Sequence, residues 1–166
     1  MSKKLLVVYY TWSNGNTKKI AAELAAACNA DICAIETATP YPSDYNATVD
    51  QAKHEVDIGF EPDIMKTAYN PTDYDIIAID TPVWWYTMAP AVKSFISNNN
   101  WTGKTVAAFA TNAGWLGTTL DDINTACDGS QSAPSLEVKF DSDGGSRQVT
   151  SQKDVDVWIE NIQQLL

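Results

Sequence analysis

Five apolar runs of strand length, each followed by residues at helical spacing, divide the chain. They are Lys4 to Tyr10, Ala30 to Glu36, Tyr74 to Asp80, Lys104 to Thr111 and Ser135 to Phe140. Parallel strands need crossover connections, usually helical, so this alternation predicts a parallel, doubly wound α/β sheet. The run YDIIAID, Tyr74 to Asp80, is apolar enough for a strand buried on both faces. The first helical face is read as Ile20, Leu24, Ala27 and Cys28, and the second as Val49, Ala52 and Val56, ending at a C-cap Gly59. Pro90 opens a third helix with face Val92, Phe95 and Ile96. Thr118 with Asp121 suggests a capping box before Leu120, Ile123 and Cys127. Ser151 with Asp154 caps the last helix, whose face is Val155, Trp158, Ile159, Ile162 and Leu165. Thr39 to Asn46 reads as turn-rich, Phe60 to Pro71 as a loop, and DSDGGSRQ as a flexible connection. The 166 residues suit a single domain, 1–166, with a core large enough to need neither disulfide nor metal.

The first strand-to-helix junction, VVYYTWSNGNTKKI, reads as an anion cradle. Thr11, Ser13, Asn14, Gly15, Asn16 and Thr17 offer hydroxyl and amide donors beside unpaired backbone amides at a helix N-terminus, and Gly15 can take positive φ there. Lys18 and Lys19 lie at the unfavourable end of the helix dipole, and a bound phosphate would make their charge favourable. An ordinary polar turn with Asn16 or Thr17 as N-cap would account for the same residues without a ligand. Neither GxGxxG nor GxxxxGK followed by Ser or Thr is present, which disfavours a dinucleotide site or a nucleotide triphosphatase.

Eleven basic residues against 21 acidic ones leave a net charge of -10, which argues against nucleic acid or an anionic membrane as partner. No signal peptide or membrane-spanning run is evident, so a cytoplasmic protein is expected. Cys28, Cys33 and Cys127 form no CxxC and read as buried small hydrophobes, while the one histidine, His54, reads as solvated. No spacing suggests a metal site.

In doubly wound sheets ligands bind beyond the C-terminal strand edges, which directs attention to the loops after the first, third and fourth strands. Thr11 to Thr17 suits a phosphate; Thr81 to Met88 holds Trp84, Trp85 and Tyr86; Thr111 to Gly117 holds Trp115. Three adjacent large aromatics cannot all point inward from one short loop, so at least one should face the crevice, where it could stack on a planar ligand. A phosphate joined to a flat aromatic body is implied.

The segments YYTWSNGNTKKIA, TPVWWYTMAPAVKSF and TNAGWLG resemble the three FMN-binding loops of the flavodoxins, and are most similar to those of short bacterial flavodoxin-like proteins. The resemblance covers nearly the whole chain, including YPSDYNATVDQAK. It implies a three-layer α/β/α flavodoxin-like fold with a five-stranded parallel sheet of order 2-1-3-4-5 and one noncovalent FMN. Carried over by position, Thr11, Ser13, Asn14, Gly15, Asn16 and Thr17 would hold the phosphate, with Trp12 part of the same cofactor-binding loop. Pro82, Val83, Trp84, Trp85 and Tyr86 would line the ring system, and Thr111, Asn112, Gly114, Trp115, Leu116 and Gly117 would close its other side. Asn14 is inserted relative to the family's SGNT, Tyr86 replaces a common glycine, and Trp115 stands where small residues are usual.

The function so implied is electron transfer by bound FMN, with no side chain acting as acid or base. Acidity should disfavour the anionic, fully reduced flavin, making it the stronger reductant, and should steer docking to redox partner proteins with basic surfaces. The alternative is an FMN-dependent NAD(P)H:quinone-type oxidoreductase passing hydride to a small quinone-like acceptor, which needs an open flavin face. A receiver-like signalling domain would need acidic residues after the first strand, where this chain has Tyr9, Tyr10 and Thr11. Asp121 and Asp122 instead fit the start of a helix.

Overall fold

In the computed structural model, which describes residues 2–166, the first apolar run forms β1 (Leu5–Tyr9) in the middle of a sheet. It lies parallel to β2 (Asp31–Ala34) on one side and β3 (Ile76–Trp84) on the other. A two-residue β4 (Thr87–Met88) folds back antiparallel on the end of β3, and β5 (Thr105–Asn112) pairs parallel with β3 from Ile76 to Pro82. Two short pieces, β6 (Gln131–Ser132) and β7 (Leu136–Lys139), share the outer side of β5. The order of the parallel strands is therefore the expected 2-1-3-4-5, but among the described residues the sheet has seven strands rather than five, because a hairpin is added and the last strand is broken. Pro134 sits in the break, has no N–H for the ladder, and offers its carbonyl to the Trp158 indole at 2.7 Å.

Helices α1 (Asn16–Cys28) and α5 (Gln152–Gln163) cover one face of the sheet. There Ile20, Ala21 and Leu24 meet Val155, Trp158 and Ile162 over Val7, Ala78 and Phe109. On the other face, α3 (Pro90–Ser97) and α4 (Thr119–Ala126) bury Val92, Phe95, Ile96 and Ile123 against Leu6, Val8, Ile77 and Ile79, while α2 (Tyr45–Ile58) packs beside α3. Each large aliphatic side chain so buried contributes about 1.5–3 kcal/mol.

Local signals account for most helix ends. Pro90 opens α3, Ser151 Oγ accepts from the Asp154 N–H at 3.1 Å, and Gly59 takes φ 67° to end α2. The proposed Thr118–Asp121 capping box does not form; the Thr118 hydroxyl donates instead to Asp122 at 2.7 Å. The buried face of α1 is Ile20, Ala21, Leu24 and Ala25, with half-buried Cys28 packed against the same cluster; of the four residues assigned to that face, Ala27 is exposed. Cys33 and Cys127 are buried, all three cysteines are free, and His54 is exposed. Among the described residues no helix is long and apolar enough to cross a membrane.

Candidate functional site

The strand ends raise a cleft of about 770 Å³ at the C-terminal edge of the sheet, a size in the range of small-ligand sites. Its phosphate end is built by the turn from β1 into α1. Gly15 is the N-cap residue at φ 74°, and no side chain caps α1, so neither Asn16 nor Thr17 plays that part. The first-turn amides of α1 are left facing the cleft with the positive end of the helix dipole behind them, which is the geometry that receives an anion. Thr17, fully buried, shares a hydrogen bond of 2.7 Å with the Thr111 hydroxyl and ties this turn to β5.

The aromatic end comes from the hairpin of β3 and β4. The expected loop from Thr81 is partly strand: β3 runs on through Thr81, Pro82 and Val83 to Trp84, and the reversal is confined to Trp85 and Tyr86. These two residues have φ of 50° and 68°, the left-handed conformation of a type I′ turn that Asn-Gly normally supplies. Bulky side chains rarely adopt it, and surrounding contacts must hold them there. The Thr118 N–H donates to the Tyr86 carbonyl at 2.9 Å, the Trp85 indole donates to the Val49 carbonyl at 3.0 Å, and Lys53 Nζ stands 5.4 Å from the Trp85 ring. Gly117 touches the turn so closely that a Cβ there would lie 2.2 Å from the Tyr86 carbonyl oxygen.

Trp84 forms the floor between these ends. Its ring meets Tyr41 at 5.0 Å, Tyr10 at 5.6 Å and Trp12 at 6.4 Å between centroids, all edge-on, and Trp12 leans on Tyr45 at 6.1 Å. Beneath them the Tyr41 hydroxyl donates to Glu55 at 2.6 Å, and burial together with that carboxylate pushes the Tyr41 phenol far up. The rim is open: Trp85, Tyr86 and Trp115 are 39%, 56% and 63% exposed.

Of the residues named from sequence, Thr11, Trp12, Ser13, Asn14, Asn16, Thr17, Pro82, Val83, Trp84, Trp85, Tyr86, Thr111, Asn112 and Trp115 line the cleft. Gly15, Gly114, Leu116 and Gly117 do not. Gly15 turns the chain behind the cradle, Gly114 donates its N–H to Asn112 at 2.6 Å, Leu116 accepts from the Thr119 hydroxyl, and Gly117 spaces the third loop from the hairpin. Two walls went unread. One is the face of α2 with Tyr45, Thr48, Val49 and Ala52. The other is Phe140, the end of the expected fifth strand, with Asp141 to Gly145 of the segment read as a flexible connection. That segment is held: Asp141 accepts from the Gly145 N–H at 2.7 Å and the Arg147 N–H at 3.0 Å, which keeps its carboxyl below the usual range. The side-chain amides of Asn14 and Asn16 donate to the Gly144 and Gly145 carbonyls, the second at 3.0 Å. The inserted Asn14 therefore fastens the cradle to this loop.

A helix-end cradle joined to an aromatic trough at the switch point of a parallel sheet defines a class of site for a phosphorylated, planar ligand. The flavodoxin family model matches residues 4–162, and the chain belongs to that family. No curated protein matches it. Among solved structures it is similar to a protein of Bacteroides eggerthii assigned as a flavoprotein, with 25% identity, a TM-score of 0.77, and 96% of this chain and 97% of that one covered. A flavoprotein of Lactobacillus acidophilus in complex with FMN has 24% identity and a TM-score of 0.72 over 95% of this chain and 99% of its own. A third similar fold is that of a protein of Bacteroides uniformis assigned as a flavoprotein, with 23% identity and a TM-score of 0.78 over 96% and 99%.

Proposed function

We propose that the chain binds one FMN in this cleft and serves as an electron carrier. The observation that supports this most is the uncapped N-terminus of α1 opening into the same cleft as Trp84, Trp85, Tyr86 and Trp115. The residues present fit the group. The amides after Gly15, with Thr11, Ser13 and Thr17, would receive the phosphate; Trp84 would close the floor, Trp85 with Tyr86 one side of the ring system, and Trp115 the other. When bound, FMN supplies one- or two-electron redox chemistry. The chain's part is to bind it, orient it and exclude water from its buried edge. The net charge of -10 supports a transient, salt-sensitive encounter with basic redox proteins in the cytoplasm.

The alternative is an FMN-dependent reductase acting on a small acceptor, for which the solvent-exposed rim of Trp115 and Tyr86 is the supporting observation. Steady-state oxidation of NADH or NADPH by the FMN-loaded protein, with a soluble quinone and no second protein, separates the two. The carrier reading predicts turnover no faster than free FMN supports; robust, saturable turnover would establish the reductase instead.

A further inference from the structure

Asp80 has no part in the reading above. It lies on β3 between Tyr9 of β1 and Phe109 of β5, in register with both. It is fully buried, and neither carboxyl oxygen has a hydrogen-bond partner among the described residues. Two residues earlier, Ala78 packs with Ile20 and Leu24 of α1, so by strand alternation Asp80 faces the same layer. On that face Thr111, two residues beyond Phe109, is its diagonal neighbour. The Thr111 hydroxyl is bound to Thr17 in the first turn of α1. An unpartnered carboxyl thus lies in the sheet just under the helix end that forms the cradle.

We propose that Asp80 makes anion binding at the N-terminus of α1 a proton-linked event: a phosphate dianion in the cradle and a carboxylate on Asp80 exclude one another, so the ligand binds with uptake of a proton at Asp80. The helix end lends positive potential to that side, and without a ligand it favours the carboxylate. A phosphate monoester takes that potential for itself and adds like charge. Like charges on the two sides of one helix end, at an effective dielectric of about 20, cost the dianion on the order of tenfold or more in its binding constant. No other charge near Asp80 offsets it. β1 brings only the Tyr9 phenol, and β5 brings Phe109 and Thr111. Lys18, Lys19 and Glu23 of α1 and Lys153, Asp154, Asp156 and Glu160 of α5 do not belong to the buried faces of their helices, and Asp141, Asp143 and Arg147 belong to the loop over the cradle. Burial raises the Asp80 carboxyl well above its usual range.

This rests on the proposal that FMN is the ligand, and its test separates the two. FMN and riboflavin are titrated into the apoprotein from pH 6 to 9, and proton uptake is read by calorimetry in two buffers of different ionisation enthalpy. The second ionisation of the ester, near pH 6, strengthens FMN binding as pH rises. The proposal predicts the opposite trend above it: FMN affinity falls by on the order of tenfold toward pH 9 with net proton uptake, while riboflavin shows neither. Asp80→Asn, or Asp80→Ala should the amide fold poorly, abolishes the fall and the uptake. FMN binding with the same pH profile in parent and variants, or without proton uptake in the parent, would overturn the role of Asp80 and leave the FMN proposal standing. No FMN binding at any pH would overturn both.

Discussion

Gly117→Ala tests how the third loop fixes the aromatic hairpin. Gly117 has φ 58°, and a left-handed alanine costs about 1–2 kcal/mol. Its new methyl would lie 2.2 Å from the Tyr86 carbonyl oxygen and 2.5 Å from the Tyr86 Cβ, both too close to coexist. Neither neighbour is the free end of a flexible chain, so the turn of Trp85 and Tyr86 must move by about 1 Å. That displaces the 2.9 Å bond from the Thr118 N–H to the Tyr86 carbonyl, worth about 0.5–1.5 kcal/mol. Together the variant should lose about 1.5–3.5 kcal/mol. At about 2–4 °C per kcal/mol for a domain of this size, Tm falls by roughly 3–14 °C. Gly15→Ala is the reference: its φ is 74° but nothing lies within 4 Å of the added methyl, so only the backbone cost of about 1–2 kcal/mol applies. Urea unfolding of both variants with matched m-values is the assay. A Gly117→Ala loss no larger than that of Gly15→Ala would refute the claim that this contact holds the strained turn.

Further outcomes follow from the same geometry. Because burial raises the Asp80 carboxyl above its ordinary 3.8, the native state keeps a proton that the unfolded chain loses as pH rises past that value. Apoprotein stability should therefore fall by about 1.4 kcal/mol per pH unit from this residue until its native titration is reached; Asp80→Asn should remove that slope, as urea midpoints across pH will show. Trp115→Ala, at an exposed site, should change stability by less than about 0.5 kcal/mol yet weaken flavin binding measured by fluorescence quenching. Asn14→Ala with Asn16→Ala should cost about 1 kcal/mol and speed amide exchange at residues 144–147, since both ties to that loop are cut.

The parallel sheet was legible because strands buried on both faces have to be written in continuous apolar residues, and LLVVY and IIAI are. The loops after the first, third and fourth parallel strands were legible for the same reason, since the strand ends locate them. Thr81-Pro82 reads as a break, yet β3 continues through it: β5 pairs it as far as Pro82, while β1 pairs it only as far as Asp80, so Pro82 has no β1 neighbour to bond. The hairpin carries no Asn-Gly signal; contacts from Val49, Lys53, Gly117 and Thr118 force the left-handed turn, and single-sequence propensity contains none of them. The wall of α2 and the clasp of Asn14 on Gly144, 130 residues away, are tertiary facts with no local signature. Asp80 was hidden as the polar end of an apolar run; only the fold shows that both its oxygens lack partners.

The most direct test of the central claim is to titrate FMN and riboflavin separately into the apoprotein at pH 7 and follow quenching of flavin fluorescence. The account predicts one FMN per chain, bound on the order of a hundredfold or more tighter than riboflavin, because charge-assisted bonds to the phosphate contribute about 1.5–3 kcal/mol each. Equal affinity for the two flavins would contradict the cradle at α1, and no binding of either would contradict the flavin site altogether.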